Sequence, residues 1–453
     1  MSQSPPETPR EGGLHAPLRH PIAWRDADFY DLEKVEAEME RVFDICHGCR
    51  RCFNLCDSFP RLFDLVDNGP TGEIDGVARA DYGQVTEACT LCDMCFMTKC
   101  PYVPPHEWDV DFPHLMLRHR AATRKAKGGP FVAEQLGQTD RNGKLMKPVA
   151  GLANWATDIE NKPVRAALDA VAGIDKTAVL PRWHARTAAD RLARGAVAPY
   201  PDGPAFGQRK AALFATCFVD YNTPETAVAA QAVLARQGVE TRLAYPECCG
   251  MPQLEAGDIA AVAASAGRVA AELAPLIDAG WDIVTLTASC GLMLKFEWPL
   301  ILPENQAVKR LAAATRDISQ YVVELSKAHG LAPGLTAPPG GITLHHACHA
   351  RAQNMGAVSA QMLRLIPGAK VDVVERCSGH GGTFGVLKPT HAVAVKVGRP
   401  AARQAAQKGN DTLCSDCPLA CKHLGQLVSA EAKGLAPRQA HPIEIFAQAY
   451  GAI

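Results

Sequence analysis

The seventeen cysteines constrain this chain more than any other feature, because they are clustered. Eight lie between Cys46 and Cys100, none follows for over a hundred residues, and nine return from Cys217 to Cys421. The first block is two runs: CHGCRRCFNLC, with Cys46, Cys49, Cys52 and Cys56, and CTLCDMCFMTKCP, with Cys89, Cys92, Cys95 and Cys100. Thiols three residues apart lie on one side of a tight turn, so three from each run can face one small inorganic cluster. Where two such runs share a fold, the fourth cysteine of each ligates the other cluster. That rule assigns Cys46, Cys49, Cys52 and Cys100 to one 4Fe–4S cluster, and Cys89, Cys92, Cys95 and Cys56 to a second. Pro101 fits the Cys-Pro ending that closes the local turn and starts a return strand. Two departures bear on loop shape: four residues instead of three precede Cys100, and Cys56 is followed by Asp57 rather than proline. Paired zinc sites are the competing reading, but zinc needs only four ligands in all.

From about residue 209 short apolar strands alternate with helices, the rhythm of parallel-sheet units. Strands are expected at Ala211–Thr216, Val239–Tyr245 and Ile283–Thr287, with helices at Pro224–Gln237 and Asp258–Ala279. The series then recurs, with strands at Ile342–His346, Val371–Val374 and Asp411–Leu413 and helices near Val358–Ile366 and Thr390–Ala406. Cys217 corresponds to Cys348, Cys249 to Cys377 and Cys290 to Cys417, at a nearly constant offset. The surrounding words agree as well: ATCFVDYN beside HACHARAQN, and ECCGMPQ beside RCSGHGG. In each half the cysteines follow predicted strands, and the carboxyl ends of parallel strands are where open α/β sheets bind ligands.

The phrases ECCG, CSGHGGTFG and SDCPLAC, in a duplicated strand–helix frame, resemble the cysteine-rich CCG domains of heterodisulfide reductases. With two ferredoxin-like runs ahead of them, the chain is similar to the iron–sulfur C-subunit family of anaerobic glycerol-3-phosphate dehydrogenases. The resemblance covers about residues 40–110 and 209–453. It implies an iron–sulfur oxidoreductase subunit that passes electrons between a flavoprotein dehydrogenase partner and a quinone or another acceptor. A catalytic thiol/disulfide reductase is the alternative, and a zinc-stabilised, non-catalytic scaffold a third reading. The full CCG pattern has five cysteines, and neither half has them all. The first supplies Cys217, Cys248, Cys249 and Cys290, with Thr287 where the fifth would be. The second supplies Cys348, Cys377, Cys414 and Cys417, with Arg376 replacing one cysteine and setting a cation beside Cys377. Four thiolates suffice for a further iron–sulfur cluster or for one zinc ion, and both remain open for each half. Cys421 is a spare ligand or a buried thiol. His345, His346, His349 and His380 flank the second set as ligands, proton carriers or loop hydrogen-bonders. Gly379, Gly381, Gly382 and Gly385 are expected to let the backbone approach whatever the cysteines hold.

The formal net charge of −1 gives no general attraction to nucleic acid. No GxGxxG follows a strand, so neither flavin nor nicotinamide is expected on this chain. The segment Met1–Gly13 is polar and Pro-rich, unlike a secretory signal. No uninterrupted apolar run reaches the ~18 residues of a membrane span. These features predict a cytoplasmic protein whose membrane contact, if any, is peripheral and on the inner face. The candidate surface for such contact is Leu115–Lys127, where Arg118, Arg120, Arg124, Lys125 and Lys127 occur without an acid. A solvated helix face is the plainer reading of that stretch. The expected fold is α/β. A tip and helix occupy 1–40, with Leu32, Val35, Met39 and Val42 as the helix's apolar stripe. A ferredoxin-like two-cluster domain follows at 41–110 and a helical linker at 111–208. Two CCG domains with parallel sheets complete the chain at 209–335 and 336–453.

Overall fold

The computed structural model describes residues 17–432 and 437–453. They form two compact units, 17–129 with 254–259, and 130–253 with 260–453.

The first unit is helical, and among its described residues there is no β-strand. Its longest helix, Leu32–Cys49, starts at Asp31, whose carboxylate accepts from the Glu33 and Lys34 N–H groups. Val35, Met39, Val42 and Phe43 form its buried stripe. The rings of Phe43 and Tyr82 meet edge to face with centroids 5.1 Å apart, and Phe59 and Phe112 lie 4.6 Å apart. The stripe carries the helix on through Cys49, until Arg50 turns it off in the left-handed region. Cys46 and Cys49 therefore stand on a last helical turn and not in the tight turn expected. The return strand expected after Pro101 is also replaced, by irregular turns up to the helix Phe112–Lys127.

That helix is the basic stretch, and the structure turns it inward. Leu115, Met116 and Leu117 are buried. Arg118 donates to the carbonyls of Asp28 and Phe29, and Arg120 to those of Thr86, Cys89 and Glu255. Arg124 pairs with Asp258 at 3.0 Å, and the Lys125 ammonium lies 4.0 Å from the centre of the Tyr30 ring. Arg118, Arg120 and Arg124 thus have partners within the protein, while Lys125 and Lys127 are exposed.

The second unit contains two four-stranded parallel sheets built alike. In the first, β1 (Lys210–Phe214), β2 (Glu240–Leu243), β3 (Asp282–Thr285) and β4 (Thr315–Asp317) lie in the order β2-β1-β3-β4. In the second, β5 (Ile342–His345), β6 (Val371–Val374), β7 (Thr412–Ser415) and β8 (Arg438–Ala440) lie in the order β6-β5-β7-β8. The identical order is the internal repeat in three dimensions. The central strands are buried on both faces, as covered parallel sheets require. One apolar core serves both sheets, joining Leu213, Val233, Val284 and Tyr321 to Leu344, Leu363, Ile443 and Phe446.

Among the described residues one helix, Ile259–Asp278, is long and apolar enough to cross a bilayer, yet Val262, Ala266, Val269 and Leu273 are buried in the protein. Gly379 has φ +77°, and a Cβ there would fall 2.0 Å from the Ala394 carbonyl oxygen. Its smallness serves close packing against the helix Lys388–Lys408.

The two halves also meet through a buried acid. The Asp416 carbonyl accepts from the Ala288 N–H at 3.2 Å, and its carboxylate accepts from the Ser359 hydroxyl. Asp416 is 1% exposed; burial, then the nearby Asp317 carboxylate, pushes it up to about 7. Between the ordinary carboxylate value and about 7 the folded state thus holds a proton that the unfolded state has released. Stability falls as pH rises through that window and is flat above it. The expected result for Asp416→Asn is a gain over wild type in urea unfolding that is larger at pH 8 than at pH 5. An equal difference at both pH values would remove Asp416 as the source.

Candidate functional site

In the first unit, Cys46, Cys49, Cys52 and Cys100 line a pocket of about 320 Å³, counting its open mouth. Apolar Ile45, Phe59, Phe63 and Val110 line it as well, with Tyr102, Pro101 and the arginines Arg50 and Arg51. Burial, then the neighbouring Cys100, Cys52 and Cys49, pushes the Cys46 thiol well above its usual range. Cys52 is pushed up to about 12 and Cys100 to about 11, in both cases mainly by burial. Cys95 is also driven well up, by burial first and then by Cys92, Cys89, Cys52 and Cys56. Cys100 thus stands among the first three cysteines of the first run, while Cys52 and Cys56 both act on Cys95.

The loop of the second run turns through left-handed backbone at Leu91 (φ 48°) and Asp93 (φ 62°), costly positions for side-chain-bearing residues. Arg19 holds it there. Its guanidinium donates to both oxygens of Asp93, at 2.8 and 2.9 Å, and to both of Asp111, at 2.8 and 3.1 Å. Burial alone would raise Asp111, yet His114 and Arg19 keep it at about 2. An isolated arginine ahead of the first helix carries no local signal of this role.

Among the described residues no three His, Cys, Asp or Glu side chains are grouped to hold a single metal ion. Four thiols around one pocket match the ligand count of a 4Fe–4S cluster, as they do that of a zinc ion. Thiols that apolar surroundings keep protonated ionise readily only on gaining a cationic partner. The first-unit residues therefore fit an iron–sulfur group.

In the first half of the second unit every candidate cysteine follows a strand. Cys217 lies in the helix Thr216–Tyr221 after β1, Cys248 and Cys249 follow β2, and Cys290 lies in Ala288–Leu292 after β3. The Cys217 and Cys248 sulfurs are 3.7 Å apart. Hydrogen bonding from Cys217, then Cys249, lowers the Cys248 thiol well below its usual range, while that same contact raises Cys217. Thr287, at the place of a fifth cysteine, shares a hydroxyl hydrogen bond of 3.2 Å with Thr216.

A residue the sequence did not single out also enters this site. The helix Thr139–Met146, from the expected linker, brings in Asp140. Its carboxylate accepts from the Cys248 N–H at 2.8 Å and the Tyr245 hydroxyl at 2.6 Å. The approach depends on Gly143, where a Cβ would fall 2.3 Å from the Tyr221 ring.

The second half is different. Cys348 opens the helix Cys348–Ala352 after β5, Cys377 follows β6, and Cys417 caps the helix Pro418–Glu431 after β7. Cys414 does not join them. Strand β7 runs to Ser415, beyond the expected Leu413, so Cys414 lies within the strand and packs in the shared apolar core. That placement sets Cys414 apart from Cys348, Cys377 and Cys417, which all follow their strands. Cys421 is buried too, donating weakly to the carbonyls of Leu413 and Ala440. The cation that favours the Cys377 thiolate is Arg351, not the exposed Arg376.

The histidines are held inside the fold. His345 bonds Ser415 and the Arg376 carbonyl, each at 3.0 Å, and burial lowers it to about 4. His346 faces Glu375 at 3.5 Å, and His349 meets Ser289, beside Cys290, at 2.9 Å. His380 is lowered to about 3, chiefly by burial.

Two like α/β halves with cysteines at the carboxyl ends of their strands, after a helical unit with two cysteine runs, define a tandem cysteine-rich protein of redox type. The model of the cysteine-rich CCG domain matches residues 211–295 and again 342–423. The chain is 28% identical over 327 residues to the C component of the anaerobic glycerol-3-phosphate dehydrogenase of Escherichia coli K12, covering 69% of this chain and 76% of that one. It is 31% identical over 188 residues to lactate utilization protein A of Geobacillus kaustophilus, covering 39% and 74%. Citrate utilization protein B of Escherichia coli is 33% identical over 92 residues, 20% of this chain and 22% of that one. The chain belongs to the cysteine-rich CCG-domain family that includes lactate utilization protein A.

Placement of Cys414 in the core sets an expectation. Cys414→Ala should cost about 1 kcal/mol of stability and leave the metal content per chain of anaerobically purified protein unchanged. A drop in metal would return Cys414 to the ligands.

Proposed function

We propose that this chain is an iron–sulfur electron-transfer subunit, moving electrons between a flavoprotein dehydrogenase partner and a quinone or other acceptor. Cys46, Cys49, Cys52 and Cys100 hold one 4Fe–4S cluster, and Cys89, Cys92, Cys95 and Cys56 a second. The observation that supports this reading is Cys100 in the pocket of the first run, with Cys56 among the cysteines that act on Cys95. When bound, such clusters supply one-electron steps. The chain's own residues hold the thiols in place, line the pocket with apolar side chains and fix charges nearby. A further cluster at Cys217, Cys248, Cys249 and Cys290 extends the path. The set Cys348, Cys377 and Cys417 is one thiolate short of a cluster's usual four and is the variable site. A dehydrogenase subunit among the relatives supports a redox partner protein, and we place the chain in the cytoplasm with that partner.

One observation favours the second reading, a thiol/disulfide reductase. An acidified Cys248 thiol 3.7 Å from Cys217 is the arrangement of an attacking and a resolving cysteine. Turnover of a disulfide with an artificial reductant and no added protein would favour it.

Anaerobically purified protein should contain iron and acid-labile sulfide, and zinc without sulfide would overturn the proposal. Cys56→Ala is expected to abolish the spectroscopic signal of the cluster of Cys89, Cys92 and Cys95 while sparing the other. Loss of the Cys46, Cys49 and Cys52 cluster alone would show that the fourth ligands do not cross.

A further inference from the structure

The helix Thr139–Met146 has no part in the cysteine pattern, yet it places a carboxylate on the first cysteine-rich site. Both Asp140 oxygens accept hydrogen bonds, one from the Cys248 backbone N–H and one from the Tyr245 hydroxyl. Hydrogen bonds accepted by both oxygens favour the ionised form of the carboxyl. Burial raises the Asp140 carboxyl, and the two hydrogen bonds oppose that rise. Lys144, one turn along the same helix, is the nearby cation, and it is exposed.

We propose that Asp140 is a positioning residue that lowers the reduction potential of the site formed by Cys217, Cys248, Cys249 and Cys290. The inference rests on the reading that these four thiolates hold a cluster. Two effects act in the same direction. Backbone N–H groups aimed at cluster sulfurs raise the potential, and Asp140 engages the one on Cys248. The carboxylate also adds a fixed negative charge beside thiolates, which disfavours a further electron in a site of low dielectric. Tyr245 moderates this charge by donating to it, and Gly143 lets the helix approach closely enough to deliver it.

The two partners therefore predict shifts of opposite sign. In redox titrations of the full chain followed by electron paramagnetic resonance, Asp140→Asn should raise the midpoint of this site. The expected size is on the order of tenfold in the one-electron equilibrium, about 59 mV. Titrated at alkaline pH, which keeps Asp140 ionised, Tyr245→Phe should lower it, since the carboxylate loses a donor. A purely structural disturbance gives no reason for opposite signs. An unmoved midpoint in Asp140→Asn, or shifts of one sign in both variants, overturns the inference. If Asp140→Asn loses its cluster, Tyr245→Phe decides alone: a lowered midpoint supports the role and any other result rejects it. Iron per chain in Cys249→Ala separates the two levels of the argument. Unchanged iron there removes the cluster reading of this site, and the role of Asp140 with it. Lost iron with an unmoved Asp140→Asn midpoint removes only the role of Asp140.

Discussion

A thiol buried among apolar side chains keeps its proton, and much of this architecture is arranged around thiols in that condition. Cys46 and Cys95 are pushed well up by burial before any neighbour is considered, and the neighbours that add to the shift are other cysteines. Bringing such groups together without a cation costs free energy, because each lost proton leaves a negative charge next to others. A bound cationic group reverses the sign of that term, so binding and local folding reinforce each other. The Asp93 and Asp111 fork on Arg19 holds the second run's loop independently of that gain. The left-handed positions at Leu91 and Asp93 are thus set by the protein.

The duplication explains why the second unit can carry two sites and why they differ. Equal strand order puts the loops after β1, β2 and β3, and those after β5, β6 and β7, at matching sheet edges. The loops have since diverged. In the first half Cys248 and Cys217 are close enough to share a proton, and Asp140 reaches in from outside the repeat. In the second half the strand keeps Cys414, the imidazoles bond within the fold, and Arg351 faces Cys377. Ser289 and His349 join the halves just beside their cysteines, at 2.9 Å.

Much of this was legible in the sequence, for reasons that also mark the limits. Central strands such as Ala211–Phe214 and Ile342–His345 are largely apolar or β-branched and bounded by turns, and the cysteines fix the phase of the repeat. The strands β4 and β8 escaped because Thr315–Asp317 and Arg438–Ala440 are three residues long and largely polar at sheet edges. Cys414 was read as following the strand because β7 runs two residues beyond the expected Leu413, to Ser415. Asp140 and Arg19 were invisible because their partners lie 108 and 74 residues away, and no local period encodes a single long-range contact. In the basic helix the charge was visible and its carbonyl partners were not.

Those inward-turned cations sharpen the electrostatic picture. Arg120 donates to the carbonyls of Thr86 and Cys89, at the end of the helix Tyr82–Ala88, where a cation also complements the helix dipole. Burial raises the Cys89 thiol, and the Arg120 charge is the strongest force opposing that rise. At the other first-unit site, Lys99 and Arg51 act on Cys52 in the same sense. Each cysteine run is therefore accompanied by positive charge, which favours thiolates and, on the proposed reading, favours an added electron. The first cysteine-rich site carries the opposite sign, with the Asp140 carboxylate on the Cys248 backbone. On the proposed reading, the balance of fixed charge differs between the sites, with the Asp93 and Asp111 carboxylates offsetting part of the positive charge at Cys89. For a protein built from several similar thiolate sets, that is the means of making their potentials unequal, without which electrons have no preferred direction.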